Sequence, residues 1–132
     1  MSEAPSAGNP HKGRTGLSRI LYAAGHSWSG LVAALRDESA FRQEALLALV
    51  LLPAAFWLGR GWAEIAMLAG SVLLVLVVEL LNSAIEAVVD RVSYERHPLA
   101  KKAKDYGSAA VMIALVLAGA VWLAALWQRI GT

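Results

Sequence analysis

The sequence predicts an all-α integral membrane protein: an N-terminal amphipathic surface helix followed by three transmembrane helices. Three observations predict it. Hydrophobic residues make up 58% of the 132 residues and charged residues only 17%, too apolar for a small domain whose surface meets water. Three long stretches carry almost no charge, each bounded by polar turns or loops. The basic residues segregate as membrane topology requires. Lys12, Arg14, Arg19, Arg36 and Arg42 precede the first stretch, and Arg91, Arg96, Lys101, Lys102 and Lys104 lie between the second and third. Only Arg60 and Arg129 fall on the other side. The positive-inside rule then places the N-terminus and the second loop in the cytoplasm, and the first loop and C-terminus outside.

The elements follow in order. Residues 1–16 are rich in Gly, Pro, Ser and Ala, lack the apolar core of a signal peptide, and read as a disordered tail. Residues 17–132 form a single membrane domain. Over residues 17–35, Leu17, Ile20, Leu21, Ala24, Trp28, Leu31 and Leu35 recur every three or four positions, the period of an amphipathic helix at the membrane interface. Gly25 and Gly30 are candidate bend points. Asp37 to Glu44 is a charged hinge, and the uncharged run Ala45 to Gly59 is too short to cross alone. The first span therefore starts earlier and covers about residues 40–58, with Pro53 a candidate kink. Gly59 to Trp62 is a turn. The second span covers about 63–89, Asp90 to Asp105 is a polar loop, and the third span covers about 106–128. Its 23 residues are about 35 Å long, enough to cross with some tilt. Trp57, Trp62 and Trp127 fall where an interfacial aromatic belt sits.

The second span carries the chemistry. Glu79, Asn82 and Glu86 interrupt an otherwise apolar helix. Carboxylates are costly at membrane depth, by about 3 kcal/mol on the lenient insertion scales. Their i, i+3, i+7 spacing puts all three on one face, aimed at protein or a water-filled site. Glu38, Glu86, Lys104 and Asp105 gather at the cytoplasmic level. Glu38 and Glu86 offer oxygen ligands to Mg²⁺, a nearby Lys suits an anionic substrate, and the deeper Glu79 suits a general base. Asp90, Arg91 and Glu95 read as interfacial salt-bridge residues, and His97, before Pro98, as a loop residue. Ser83, Ala84, Gly107, Ser108, Ala109 and Ala110 permit close helix packing. No cysteine is present, so disulfides and thiolate metal sites are excluded. No P-loop, GxGxxG or protein-kinase catalytic loop occurs. These residues alone fit a proton-coupled carrier as well as an enzyme.

The segment VELLNSAIEAVVDRVSYERHPLAKKAKDYGSAAV, Val78 to Val111, resembles the signature of the small prokaryotic diacylglycerol kinases. AAGHSWSGL (Ala23 to Leu31) and ESAFRQE (Glu38 to Glu44) resemble two further family segments. The resemblance implies a multi-pass homotrimer of the bacterial inner membrane, with sites shared between subunits. It implies transfer of the γ-phosphoryl group of MgATP to diacylglycerol, giving phosphatidic acid for phospholipid recycling. By motif position Glu79 is the general base, and Glu38 and Glu86 hold Mg²⁺. Arg19, His26, Glu38, Glu86, Glu95, Arg96, His97, Lys104 and Asp105 contact the nucleotide. Arg19, Ala23, Ala24, Gly25, Ser27, Trp28, Ala40, Phe41, Arg42, Gln43, Glu44, Glu79, Asn82 and Ser108 contact the lipid. Membrane lipids are implied partners, and no nucleic acid is expected. The family usually carries an aromatic residue, often Tyr, where this chain has His26, a departure that bears on nucleotide affinity. The Gram-positive branch of the same fold phosphorylates undecaprenol; GSAAV and ESAFRQE favour diacylglycerol.

Overall fold

The computed structural model describes Gly8 and residues 15–131, and those residues form four helices: α1 (Gly16–Asp37), α2 (Ser39–Leu58), α3 (Trp62–Val92) and α4 (Pro98–Ile130). The tail expected over residues 1–16 lies almost wholly outside the described residues, as do Lys12 and Arg14. The chain divides after Ala33 into two compact units.

In the first unit, α1 is continuous through Gly25 and Gly30, so neither glycine breaks it. It starts at Gly16, whose φ of +64° favours a residue without a Cβ. Ser27 Oγ donates to the Ala23 carbonyl at 2.9 Å, satisfying the hydroxyl within the helix itself.

In the second unit, one extended residue, Glu38, separates the end of α1 from α2. Arg42 reaches back from the first turn of α2, and its Nη1 donates to the carbonyls of Leu35 and Arg36, both at 2.9 Å. Those carbonyls belong to the last turn of α1, where no intrahelical partner remains. Beside them the Arg36 guanidinium hydrogen-bonds Asp37 and holds its carboxyl below the usual carboxylate range.

The helices α2, α3 and α4 are each long and apolar enough to cross a membrane. They run antiparallel in sequence order, and α3 is central, packed against both neighbours. At the end marked by Gly59–Gly61, Ala55, Leu58, Leu68 and Ala125 form a buried cluster with Val121 and Trp122 against it. Gly59 is needed there because a Cβ would overlap the Ile65 side chain and lie 2.9 Å from the Ala55 carbonyl. The Trp122 indole donates to the Leu68 carbonyl and to Ser71 Oγ, both at 3.2 Å, and Ser71 Oγ donates to the Leu68 carbonyl at 2.8 Å. This network ties α3 to α4 at apolar depth. Arg60 Nη2 also donates to the Gln128 carbonyl at 2.8 Å, and the Arg129 guanidinium lies 4.6 Å from the Trp57 ring centroid.

The polar stretch 90–105 is mostly helical, whereas its composition predicts a loop. Only Ser93 to His97 lies outside the helices. Local chemistry explains the difference. His97 Nδ1 caps α4 by accepting from the Leu99 backbone N–H at 3.1 Å, with Pro98 at the first helical position. Lys101 and Asp105 pair at i, i+4 and 2.6 Å. At 1.5 Å per residue, α3 and α4 are about 45–50 Å long, well beyond a hydrocarbon core of about 30 Å. Their charged ends therefore extend into the polar layer.

Leu115, Val116 and Leu123 of α4 are exposed, as are Leu46, Leu49 and Val50 of α2. Surface this apolar requires lipid or another copy of the chain around it. Two contacts between α3 and α4 are testable. Gly107→Ala places a methyl group into Asn82 and is expected to destabilise the protein by about 1–3 kcal/mol in micelle unfolding measurements. Trp122→Phe removes a two-acceptor donor and is expected to cost about 1 kcal/mol in the same assay.

Candidate functional site

Helical spacing predicts that Glu79, Asn82 and Glu86 share a face of α3. Asp90, one turn beyond Glu86, extends that face. Glu79 is buried, with 7% of its surface exposed, and Asn82, Glu86 and Asp90 are half-buried. Such residues are tolerated within an apolar helix because they meet protein instead of lipid.

The packing partner is α4. Gly107 is buried directly against Asn82, and a Cβ at position 107 would collide with Asn82 Oδ1. The missing side chain lets the helices approach closely enough to cover the amide. Asn82 Oδ1 is buried there with no hydrogen-bond partner, as is Glu44 Oε2 on α2. A buried polar atom left unpaired costs about 1–3 kcal/mol, so such atoms mark a place where a ligand or ordered water completes the set.

Three further carboxylates are electrostatically coupled to Glu79. Glu79 is within electrostatic reach of Glu86 and Glu38, and Glu44 is within reach of Glu79. Glu38 is placed by the α1–α2 break. It stands at the N-cap position of α2 but makes no side-chain capping bond there, so its carboxylate is not committed to the helix end. Glu44 also lies at the rim of an apolar cavity of about 230 Å³ lined by Leu47, Val75, Leu76, Leu115 and Trp122.

A second cavity, of about 730 Å³, opens at the Ser93–His97 end. Asp90, Tyr94, Glu95, Arg96, His97, Lys101, Lys104 and Asp105 line it. Lys104 connects it to the carboxylate face. Its Nζ donates to Asp90 Oδ1 at 2.8 Å and is also within electrostatic reach of Glu86.

The sequence-predicted residues therefore separate. Glu38, Glu44, Glu79, Asn82, Glu86 and Lys104 belong to one end of the three-helix unit, and Glu95, Arg96, His97 and Asp105 line the adjoining cavity. Asp105 is paired with Lys101, His97 caps α4 and Arg42 caps α1. Phe41 is buried with 3% exposed, whereas Ala40, Gln43 and Ser108 are exposed. Arg19, Ala23, Ala24, Gly25, His26, Ser27 and Trp28 lie on α1 within the first unit. Sequence reasoning reads Asp90 as a salt-bridge residue without finding its partner, and does not group Glu44 with the other carboxylates. The signal for Asp90 was its i+4 spacing from Glu86.

No group of three or more His, Cys, Asp or Glu side chains converges at metal-holding geometry among the described residues. That does not disfavour Mg²⁺. The ion usually takes one or two carboxylates, completing its shell with water and substrate phosphates. Glu38 and Glu86, oxygen donors clustered about Glu79, fit that donor set.

The sequence profile of the family described as Prokaryotic diacylglycerol kinase matches residues 25–126. A diacylglycerol kinase of Pseudomonas aeruginosa is 57% identical over 114 residues, covering 86% of this chain and 93% of that protein. One of Escherichia coli is 50% identical over 117 residues, covering 89% and 96%. One of Helicobacter pylori is 44% identical over 107 residues, covering 81% and 84%. The matched region takes in the carboxylate face of α3, the lysine opposite it and the three apolar helices together. The chain belongs to the prokaryotic diacylglycerol kinase family.

Proposed function

We propose that this protein transfers the γ-phosphoryl group of ATP, with Mg²⁺, to the free hydroxyl of diacylglycerol, giving phosphatidic acid and ADP. As a family member it is a membrane-embedded lipid kinase that acts on diacylglycerol and uses ATP. What supports the finer reading is the buried Glu79, within electrostatic reach of Glu38, Glu44 and Glu86, with Glu86 in turn within reach of Lys104, at the end where the apolar helices become polar. An acceptor with lipid tails presents its hydroxyl at that depth.

Phosphoryl transfer is governed by positioning and charge neutralisation. In this reading Glu79 accepts the proton of the diacylglycerol hydroxyl as its oxygen attacks the γ-phosphorus and the bond to the β-phosphate oxygen breaks. Lys104 Nζ meets the phosphate oxygens. Glu38 and Glu86 are the residues that would hold Mg²⁺, which when bound neutralises phosphate charge. Asn82, between Glu79 and Glu86 on the same face of α3, orients the reacting groups. The 730 Å³ cavity, with Glu95, Arg96, His97 and Asp105 on its wall, receives the rest of the nucleotide.

The protein acts in the bacterial inner membrane, and we assign its N-terminus to the cytoplasm and its C-terminus to the periplasm. The distribution of basic residues supports that orientation. The active assembly is a homotrimer with sites shared between subunits, a reading supported by the family resemblance and by the exposed apolar surface of α2 and α4.

Phosphate transfer from labelled ATP to diacylglycerol and to undecaprenol, presented separately in mixed micelles with and without Mg²⁺, tests the reaction. Mg²⁺-dependent labelling of diacylglycerol far above undecaprenol is expected; the reverse preference would overturn the acceptor. Glu79→Gln is expected to lower turnover by about 10²–10⁴-fold while the protein still folds. Retained turnover would remove Glu79 from the base role. Glu86→Gln is expected to raise the Mg²⁺ concentration for half-maximal rate by at least about tenfold, a loss seen even for outer-shell partners. An unchanged Mg²⁺ dependence would dismiss it as a ligand.

A further inference from the structure

We propose that Asp90 is a positioning residue for phosphoryl transfer, holding Lys104 so that its ammonium points from the carboxylate face of α3 into the neighbouring cavity. This rests on the reading that Lys104 meets the nucleotide.

The geometry carries it. Asp90 continues the face defined by Glu79 and Glu86, so it stands at the site and not on the outside of α3. Its Oδ1 accepts from Lys104 Nζ at 2.8 Å across the α3–α4 interface. A Lys side chain has many rotamers and leaves its charge loosely placed; an ion pair to a residue on the next helix fixes it. Both residues line the 730 Å³ cavity. Their side chains are 42% and 40% exposed, so Nζ remains open to a ligand while paired.

The donor arithmetic agrees. An ammonium has three N–H donors. Asp90 takes one, which leaves two to turn toward phosphate oxygens. Asp90 also offsets the pull of Glu86, which is within electrostatic reach of the same ammonium from one turn deeper. Without Asp90, Lys104 would swing toward Glu86 and away from the cavity. A pair this exposed contributes little to folding, so stability alone gives little reason for it.

The test is a double-mutant cycle with separate KM values for ATP and diacylglycerol. Asp90→Asn is expected to raise the KM for ATP on the order of tenfold, within what a small misplacement of a positioning group costs, and to leave the KM for diacylglycerol unchanged. Asp90→Glu is expected to restore most of the loss. In a Lys104→Gln background, adding Asp90→Asn is expected to change the KM for ATP by no more than about twofold, because the group it positions is gone. A full additional loss in that background would overturn the positioning role while leaving Lys104 at the nucleotide. An unaltered KM for ATP in Asp90→Asn, or an equal rise in both KM values, would overturn it too. If Lys104→Gln itself leaves the KM for ATP unchanged, the underlying reading fails and the proposal fails with it.

Discussion

The close approach of α3 and α4 at Gly107 is the contact on which the site depends. A helix bearing Glu79, Asn82 and Glu86 cannot present that face to hydrocarbon, so another helix must cover it. Gly107 lets α4 come near enough to bury Asn82, and the same approach brings Lys104 within 2.8 Å of Asp90. At apolar depth, the Trp122 indole joins α4 to Leu68 and Ser71 of α3. The helix pair is thus pinned toward its Gly59–Gly61 end by hydrogen bonds and fitted toward its polar end by a missing side chain.

Placement along the membrane normal follows from length. Two helices much longer than the hydrocarbon core extend into the polar layer, where the last turn of α3 holds Asp90 and the first turns of α4 hold Lys101, Lys104 and Asp105. Glu44, Glu79, Glu86, Asp90 and Lys104 stand on helices, and five residues, Ser93 to His97, connect α3 to α4 and bring Glu95, Arg96 and His97 to the cavity wall.

Several sequence-predicted binding residues also hold the scaffold. Arg42 satisfies the final carbonyls of α1, His97 starts α4, and Asp105 pairs along the helix with Lys101. Glu38 behaves in the opposite way, standing at a helix N-cap without capping it.

The sequence by itself determined the helical class, the three apolar helices and the polar face of α3, because hydrophobic length and the 3.6-residue period are local properties. The motif from Val78 to Val111, with two shorter ones before it, also carried the family. It did not reveal that the stretch 90–105 is mostly helical, because composition marks Lys-rich sequence as solvated without saying whether it is coiled. Capping by His97 and pairing of Lys101 with Asp105 decided that. Only the tertiary structure brought Glu44 into the carboxylate group, set Gly107 against Asn82 and matched Lys104 to Asp90. Those relations join different helices, and the register between two helices depends on the shapes of both faces, which no single segment encodes.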